Sequence, residues 1–171
     1  MTGEIDIMDV KIIKVQREQV ADLAPLVADF RVALRSYKGI QSVPNAEAGA
    51  EELLEYLDSD FPVYAAVCRE AFVGYMVCKV EAPCVWVESL FVTDACRGLG
   101  VADELIKCAE ELAASYGEET LYFNVHPNNH RMILFLRKHG YSVLNLIEIR
   151  KPYRGETLTQ EIPVGDHPFD Y

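Results

Sequence analysis

No stretch of this 171-residue chain holds the roughly 20 consecutive apolar residues that a membrane helix needs. Cysteines are few and odd in number: Cys68, Cys78, Cys84, Cys96 and Cys108 include no C-x-x-C pair. That argues against a disulfide framework and for reduced, mostly buried thiols. Of the four histidines, His126 and His130 form an H-x-x-x-H. Pro127 follows the first, and its segment reads as a strand end rather than a helix, so it makes a poor metal site. Positive charge is also scarce. Lys and Arg number 16 against 27 Asp and Glu, a net charge of −11, and no basic stripe forms, which disfavours nucleic acid as a partner. An acidic surface helps a cationic substrate approach at low salt, and it serves solubility equally well. The start, M-T-G-E-I-D-I, is acidic and lacks the basic opening of a signal peptide, which points to the cytoplasm and away from membranes. Internal repeats, linkers and low-complexity runs are missing as well. One domain over 1–171 is therefore expected, with the tail after about residue 151 the least defined.

What is there is ordinary for a globular protein: half the residues are hydrophobic and a quarter charged. Val10 to Val15 reads as a first strand. Arg17 to Tyr37 is helical, with Val20, Leu23, Val27, Phe30 and Leu34 on one face. Pro25 places the regular start near Leu23. Lys38 to Ala46 is a polar loop, followed by an acidic helix from about Glu47 to Leu57. Pro62 to Cys68 and Ala71 to Val80 form a hairpin around Arg69-Glu70. A strand from Cys84 to Val92 comes next. Thr120 to His126 is a further strand, and Pro127-Asn128-Asn129 opens a helix to about His139 that Gly140 stops. Tyr141 to Arg150 is expected as a long strand, Thr157 to Val164 as a short one, and Gly165 to Tyr171 as a loose tail.

The chain is organised around Val87 to Leu105. After the strand ending Leu90-Phe91-Val92 comes a short polar break, then Arg97-Gly98-Leu99-Gly100-Val101-Ala102. An amphipathic helix follows, with Leu99, Ala102, Leu105, Ile106, Ala109, Leu112, Ala113 and Tyr116 at helical spacing and Gly117 as its C-terminal cap. A helix start leaves about four backbone N–H groups unpaired and carries partial positive charge. Glycines there let an anion approach the backbone. This predicts phosphate or pyrophosphate binding, with Arg97 at the rim. No Lys-Ser/Thr pair follows, and Asp103 stands where the third glycine of G-x-G-x-x-G would be, so neither common nucleotide loop fits.

Arg97, Gly100 and Ala102 do fit [RQ]-x-x-G-x-[GA]. Downstream, Asn129-His130-Arg131-Met132 through Lys138-His139-Gly140-Tyr141 resembles an N-x-x-A…[LYF]…K-x-G-[FY] segment. In this order the two blocks resemble the GNAT superfamily of N-acetyltransferases. The resemblance covers roughly Val10 to Lys151 and is strongest from Val85 to Tyr141. It implies an α/β (α+β) fold: the GNAT acyl-CoA N-acyltransferase fold, with a central mixed, mostly antiparallel sheet of six to seven strands flanked by about four helices. The first two helices and their loop would form one wall of the acceptor cleft.

The resemblance also implies a reaction: acetyl-CoA as co-substrate, and direct attack on it by a primary amine of a small molecule or a protein. An alkyl amine is mostly protonated at neutral pH, so a base must take a proton and the thioester oxygen needs a donor. Glu88, four residues before Val92, matches a base position of some GNAT enzymes. A structural carboxylate is the competing reading. The backbone N–H of Leu90 would be the oxyanion donor. Phe91 and Val92 would pair with the pantetheine amides, as in strand addition. The N–H groups from Gly98 through Leu99, Gly100 and Val101 to Ala102 would hold the pyrophosphate, and Asn129 would touch the pantetheine arm. Asn124 and His126 would look into the gap. The family's acidic Tyr, seven residues after the asparagine, is replaced by Leu136. Solvent, Tyr141, Tyr122 or His130 would then protonate the thiolate. The alternative is a non-catalytic acyl-CoA-binding module or regulator with the same fold. The last strands are compressed relative to the family. An incomplete sheet edge invites a second subunit, so a homodimer with the region after Tyr141 near its interface is expected.

Overall fold

A computed structural model describes residues 10–171; the acidic opening residues lie outside them. The chain divides into two compact units, one reaching to Leu134 and the other spanning Phe135–Tyr171. In the first, β1 (Val10–Lys14), α1 (Val20–Tyr37), α2 (Ala46–Asp58), β2 (Val63–Cys68), β3 (Ala71–Glu81), β4 (Cys84–Val92), α3 (Val101–Ser115) and β5 (Tyr122–Phe123) follow in order. Helix α4 (His130–Lys138) begins there and ends in the second unit, which also holds β6 (Glu161–Val164) and β7 (His167–Asp170).

The central sheet has the order β1-β2-β3-β4-β5. The first four strands pair antiparallel, and β5 joins β4 in parallel. A parallel neighbour requires a crossover connection, which α3 supplies. Mixed α/β with a mostly antiparallel sheet and, among the described residues, four helices is thus the fold class expected; the sheet has five strands among those residues, where six or seven are expected.

The two faces of the sheet follow from strand alternation. Tyr75 and Val77 of β3 join Leu23 and Val27 of α1 and Leu53 of α2 in one buried cluster. Gly74 points the other way, where a Cβ would stand 3.4 Å from Val101 of α3. Fully burying side chains such as Leu23 and Leu53 contributes about 1.5–3 kcal/mol each. Gly49 of α2 sits so close to α1 that a Cβ there would be 2.5 Å from the Ala24 carbonyl oxygen. Asn45 starts α2 by accepting the Ala48 N–H at 3.1 Å. Helix α1 starts at Val20, ahead of the expected Leu23. A 3-10 turn at Arg17–Gln19, with Gln16 and Gln19 capping each other, leads into it, and Pro25 lies inside the helix.

The second unit corrects two expectations. Tyr141 to Arg150 is not a strand: residues 141–153 carry no regular structure, and Val143, Leu144, Leu146 and Ile149 are exposed. Strand propensity records fit to a neighbour, and the paired strands among the unit's described residues are β6 and β7. The expected loose tail instead forms β7, which pairs with β6 from Glu161↔Asp170 to Val164↔His167 around the two-residue turn Gly165-Asp166. Arg150 is held locally, donating 2.9 and 2.7 Å bonds to the Glu156 carboxylate.

Candidate functional site

Glu88 owes its position to a β-bulge. Opposite β4, Val77 faces Ser89 and Cys78 faces Val87, so Glu88 is the extra residue between them. Its side chain is half-buried and lines a cleft of about 50 Å³ with Phe30 and Leu34 of α1, Leu90 of β4, Phe123, Asn124 and His126. That is room for about one or two waters, the scale of a reacting group and not of a nucleotide.

The cleft exists because β4 and β5 part. They match only at Trp86↔Tyr122 and Val87↔Phe123. The Trp86 and Tyr122 rings stack at 5.2 Å where the two strands are paired. Beyond this pairing β4 continues to Val92 without that partner. The Thr93 N–H donates to the Val73 carbonyl of β3 at 2.9 Å. By antiparallel alternation Phe91 and Ser89 also turn their main chain to β3, while Leu90 and Val92 turn theirs to the open edge. Of the three β4 residues expected on the pantetheine arm, Leu90 and Val92 therefore face the gap. Phe91 instead packs its ring against Phe30 and Tyr75, with centroids 6.0 and 6.5 Å away.

The loop after β4 has the shape an anion requires. Gly98 and Gly100 have φ of 76° and 86°, the left-handed region that favours glycine. A Cβ on Gly98 would meet nothing within 4 Å, so the loop is open to solvent. The helical ladder of α3 begins where the Glu104 N–H meets the Gly100 carbonyl at 3.2 Å. The N–H groups of Val101 and Ala102 precede it and point out of the helix start. Leu99 is exposed, whereas Val101 is buried. Arg97 is braced by the protein. Its Nε donates to the Val92 carbonyl at 2.8 Å, it pairs with Asp94, and its guanidinium lies 5.4 Å from the Phe91 ring centre. Burial and then Arg131 press its pKa down. A second cation, Arg131, thus lies close enough to be felt by Arg97. Arg131 escaped sequence reasoning because nothing local ties it to Arg97.

Asn129 caps α4: its Oδ1 accepts the Met132 N–H at 3.1 Å, and its own N–H donates to the His126 carbonyl at 2.8 Å. It also lines the cleft. The His126 ring stacks on Tyr37 at 5.8 Å, and its Nδ1 accepts the Asn128 N–H at 3.3 Å. Asn128 in turn donates to the Tyr37 carbonyl at 3.0 Å, tying this loop to the end of α1. Burial, then Lys38, push the His126 pKa below the usual imidazole range. Phe30 and Leu34 read as core residues in the sequence, yet both line the cleft.

Tyr122 and His130, named as substitutes for the missing acid, are not among the residues lining the cleft. Leu136 is buried and offers no hydroxyl. Among the described residues no three His, Cys, Asp or Glu side chains gather as metal ligands would, and no helix is long and apolar enough to cross a membrane.

Among curated proteins, none matches the chain. By structure it is similar to an aminoglycoside acetyltransferase from an uncultured soil metagenomic sample, with 17% identity and a TM-score of 0.65 over 86% of this chain and 99% of that one. It is similar to a ribosomal-protein-alanine N-acetyltransferase from Brucella melitensis biovar Abortus 2308, with 19% identity and a TM-score of 0.66 over 84% and 99%. It also resembles the aminoglycoside N-acetyltransferase AAC(6')-Iy, solved with a CoA bisubstrate analogue, with 18% identity and a TM-score of 0.65 over 84% and 99%. The model of the acetyltransferase (GNAT) family matches residues 30–141, well over half of the sequence. The chain belongs to the GNAT acetyltransferase family.

Proposed function

We propose that this protein is an acetyl-CoA-dependent N-acetyltransferase acting by direct attack of a primary amine. The observation that carries the reading is the opening between β4 and β5, with the Glu88 carboxylate on one wall and the Leu90 and Val92 amides along its edge. Acetyl-CoA supplies an acyl group activated as a thioester. The residues present suit it: the Gly98 to Ala102 turn and the uncapped start of α3 for the pyrophosphate, Arg97 and Arg131 for its charge, the open edge of β4 for the pantetheine amides. Glu88 takes a proton from the acceptor ammonium and holds the amine in line. The Leu90 N–H donates to the oxygen on which negative charge develops. Phe30, Leu34 and Phe123 exclude water around that step.

The acceptor is an amine of a small molecule or of a protein, since similar solved structures are named for aminoglycosides and for a ribosomal protein. The net charge of −11 favours cationic acceptors. The family match runs across the boundary at Leu134, which supports one acetyltransferase domain. The exposed Val143, Leu144, Leu146 and Ile149 support a homodimer, and the absence of membrane-crossing helices among the described residues fits a cytoplasmic site of action. Leu136 favours a second reading, a non-catalytic acyl-CoA-binding module.

Incubation with acetyl-CoA and a panel of aminoglycosides, polyamines and peptide amines decides between them, read as acetylated product and free thiol. Product with any member establishes catalysis. Binding of acetyl-CoA without product or excess thiol release favours the module, and absence of binding removes both readings.

A further inference from the structure

Behind the cleft lies a polar cluster that the mechanism above does not use. Arg31 of α1 donates through Nε to Glu52 of α2 at 2.6 Å, and its NH2 group both pairs with Glu52 and donates to the Tyr56 hydroxyl at 3.1 Å. The bond to Glu52 raises the Arg31 pKa further, which keeps the guanidinium charged although half-buried. Below this pair sit two hydroxyls, Tyr75 of β3 and Ser89 of β4, 0% and 2% exposed. Neither has a hydrogen-bond partner of good geometry among the described residues. Ser89 is paired with Val77, and Tyr56 packs against the buried cluster that holds both Val77 and Tyr75, so the three hydroxyls share one region of this face.

An unsatisfied buried hydroxyl weakens the fold, so two together at a helix–sheet junction need a reason. Their place supplies one. Ser89 is the residue after the bulge, between Glu88 and Leu90. Its side chain, on the α1/α2 face opposite Val77, is the handle by which that face can hold the pleat. Arg31 adjoins Phe30, which lines the cleft.

We propose that Arg31, Glu52 and Tyr56 act through the Ser89 and Tyr75 hydroxyls as positioning residues that lock the β4 bulge and so aim the Glu88 carboxylate and the Leu90 N–H. The network joins the α1 wall to the strand that carries the chemistry. It rests on the acetyltransferase reading for its purpose, but the lock itself is measurable without activity.

The test compares wild type with Ser89→Ala, Ser89→Thr and Tyr56→Phe by amide hydrogen exchange and by steady-state kinetics. The Ser89 and Phe91 amides, which face β3, should exchange at least tenfold faster in Ser89→Ala and in Tyr56→Phe, while the β2 amide of Ala65 keeps its rate. Turnover should fall about tenfold with the KM for acetyl-CoA unchanged, and Ser89→Thr, which keeps the hydroxyl, should restore both. A uniform rise in exchange across the sheet, or none at positions 89 and 91, overturns the proposal. If Ser89→Ala fails to fold, Tyr56→Phe, nearer the surface, gives the same readout. A local exchange change in a protein that acetylates nothing sustains the lock and removes the acetyltransferase reading instead.

Discussion

Arg97 Nε donates to the Val92 carbonyl across 2.8 Å, so the side chain that begins the glycine loop also closes the end of the strand before it. The same guanidinium pairs with Asp94 and lies over Phe91. It is therefore held before any anion arrives, which reduces the ordering cost of binding.

Acetyl-CoA should raise the melting temperature, because a ligand bound only by the folded state stabilises it by mass action. Arg97→Ala should remove most of that shift. Gly100→Val should do the same, since Gly100 has φ of 86° and a β-branched residue there distorts the helix start. Each variant is compared with its own ligand-free melt. A full shift in both variants would dismiss the loop as the pyrophosphate site.

Glu88→Gln separates chemistry from architecture. With Glu88 as base, turnover falls by roughly 10²–10⁴-fold while acetyl-CoA affinity, measured by calorimetry, stays near wild type. A structural carboxylate would give the opposite pattern, with stability lower by about 1–3 kcal/mol and turnover per folded molecule unchanged.

Much of this site was legible. The strand, glycine loop and helix from Cys84 to Gly117 follow local rules: alternation, positive φ at glycine, helical spacing and a C-terminal cap. The Asn129 cap is equally local. The bulge at Glu88 was not legible, because a bulge belongs to the register between two strands, and Val77 and Cys78 define it from the partner. The Arg31–Glu52 pair joins two helices across a loop with no spacing rule between them. Tyr141 to Arg150 shows the reverse failure: strong strand propensity without a paired neighbour among the described residues of its unit.

Gly49→Ala tests the helix pair that backs the cleft. Its methyl would stand 2.5 Å from the Ala24 carbonyl oxygen, so α1 and α2 must separate. Overpacking of this kind costs about 1–3 kcal/mol, outweighing the roughly 1 kcal/mol that Ala gains over Gly in a helix. Urea denaturation should show a lower midpoint at unchanged slope. A midpoint equal to or above wild type would mean that the two helices are not in close contact at this point.

His126 gives a pH dependence of definite sign. Its folded pKa lies below the unfolded value near 6.5, because burial and Lys38 disfavour the charged ring. The unfolded chain then binds more protons as pH falls through that value toward the folded pKa. The contribution is complete above about 6.5 and is lost below it. Between pH 7 and 5 wild type should lose more stability than His126→Asn, by a fraction of 1 kcal/mol given the partial exposure of the ring. Identical pH profiles for the two proteins would place the imidazole in water.

The bulge has a consequence beyond aiming one carboxylate. An extra residue shifts the phase of every residue after it, because side chains and amides alternate with a period of two. Straighten the strand so that Glu88 takes the place of Ser89 opposite Val77, and Leu90 and Val92 would turn their amides to β3 while Phe91 turned to the gap. The proposed base and the proposed binding edge are thus one inheritance. Exchanging the side chain at position 88 would silence the reaction alone, whereas straightening the bulge with the residue kept would take cofactor recognition with it.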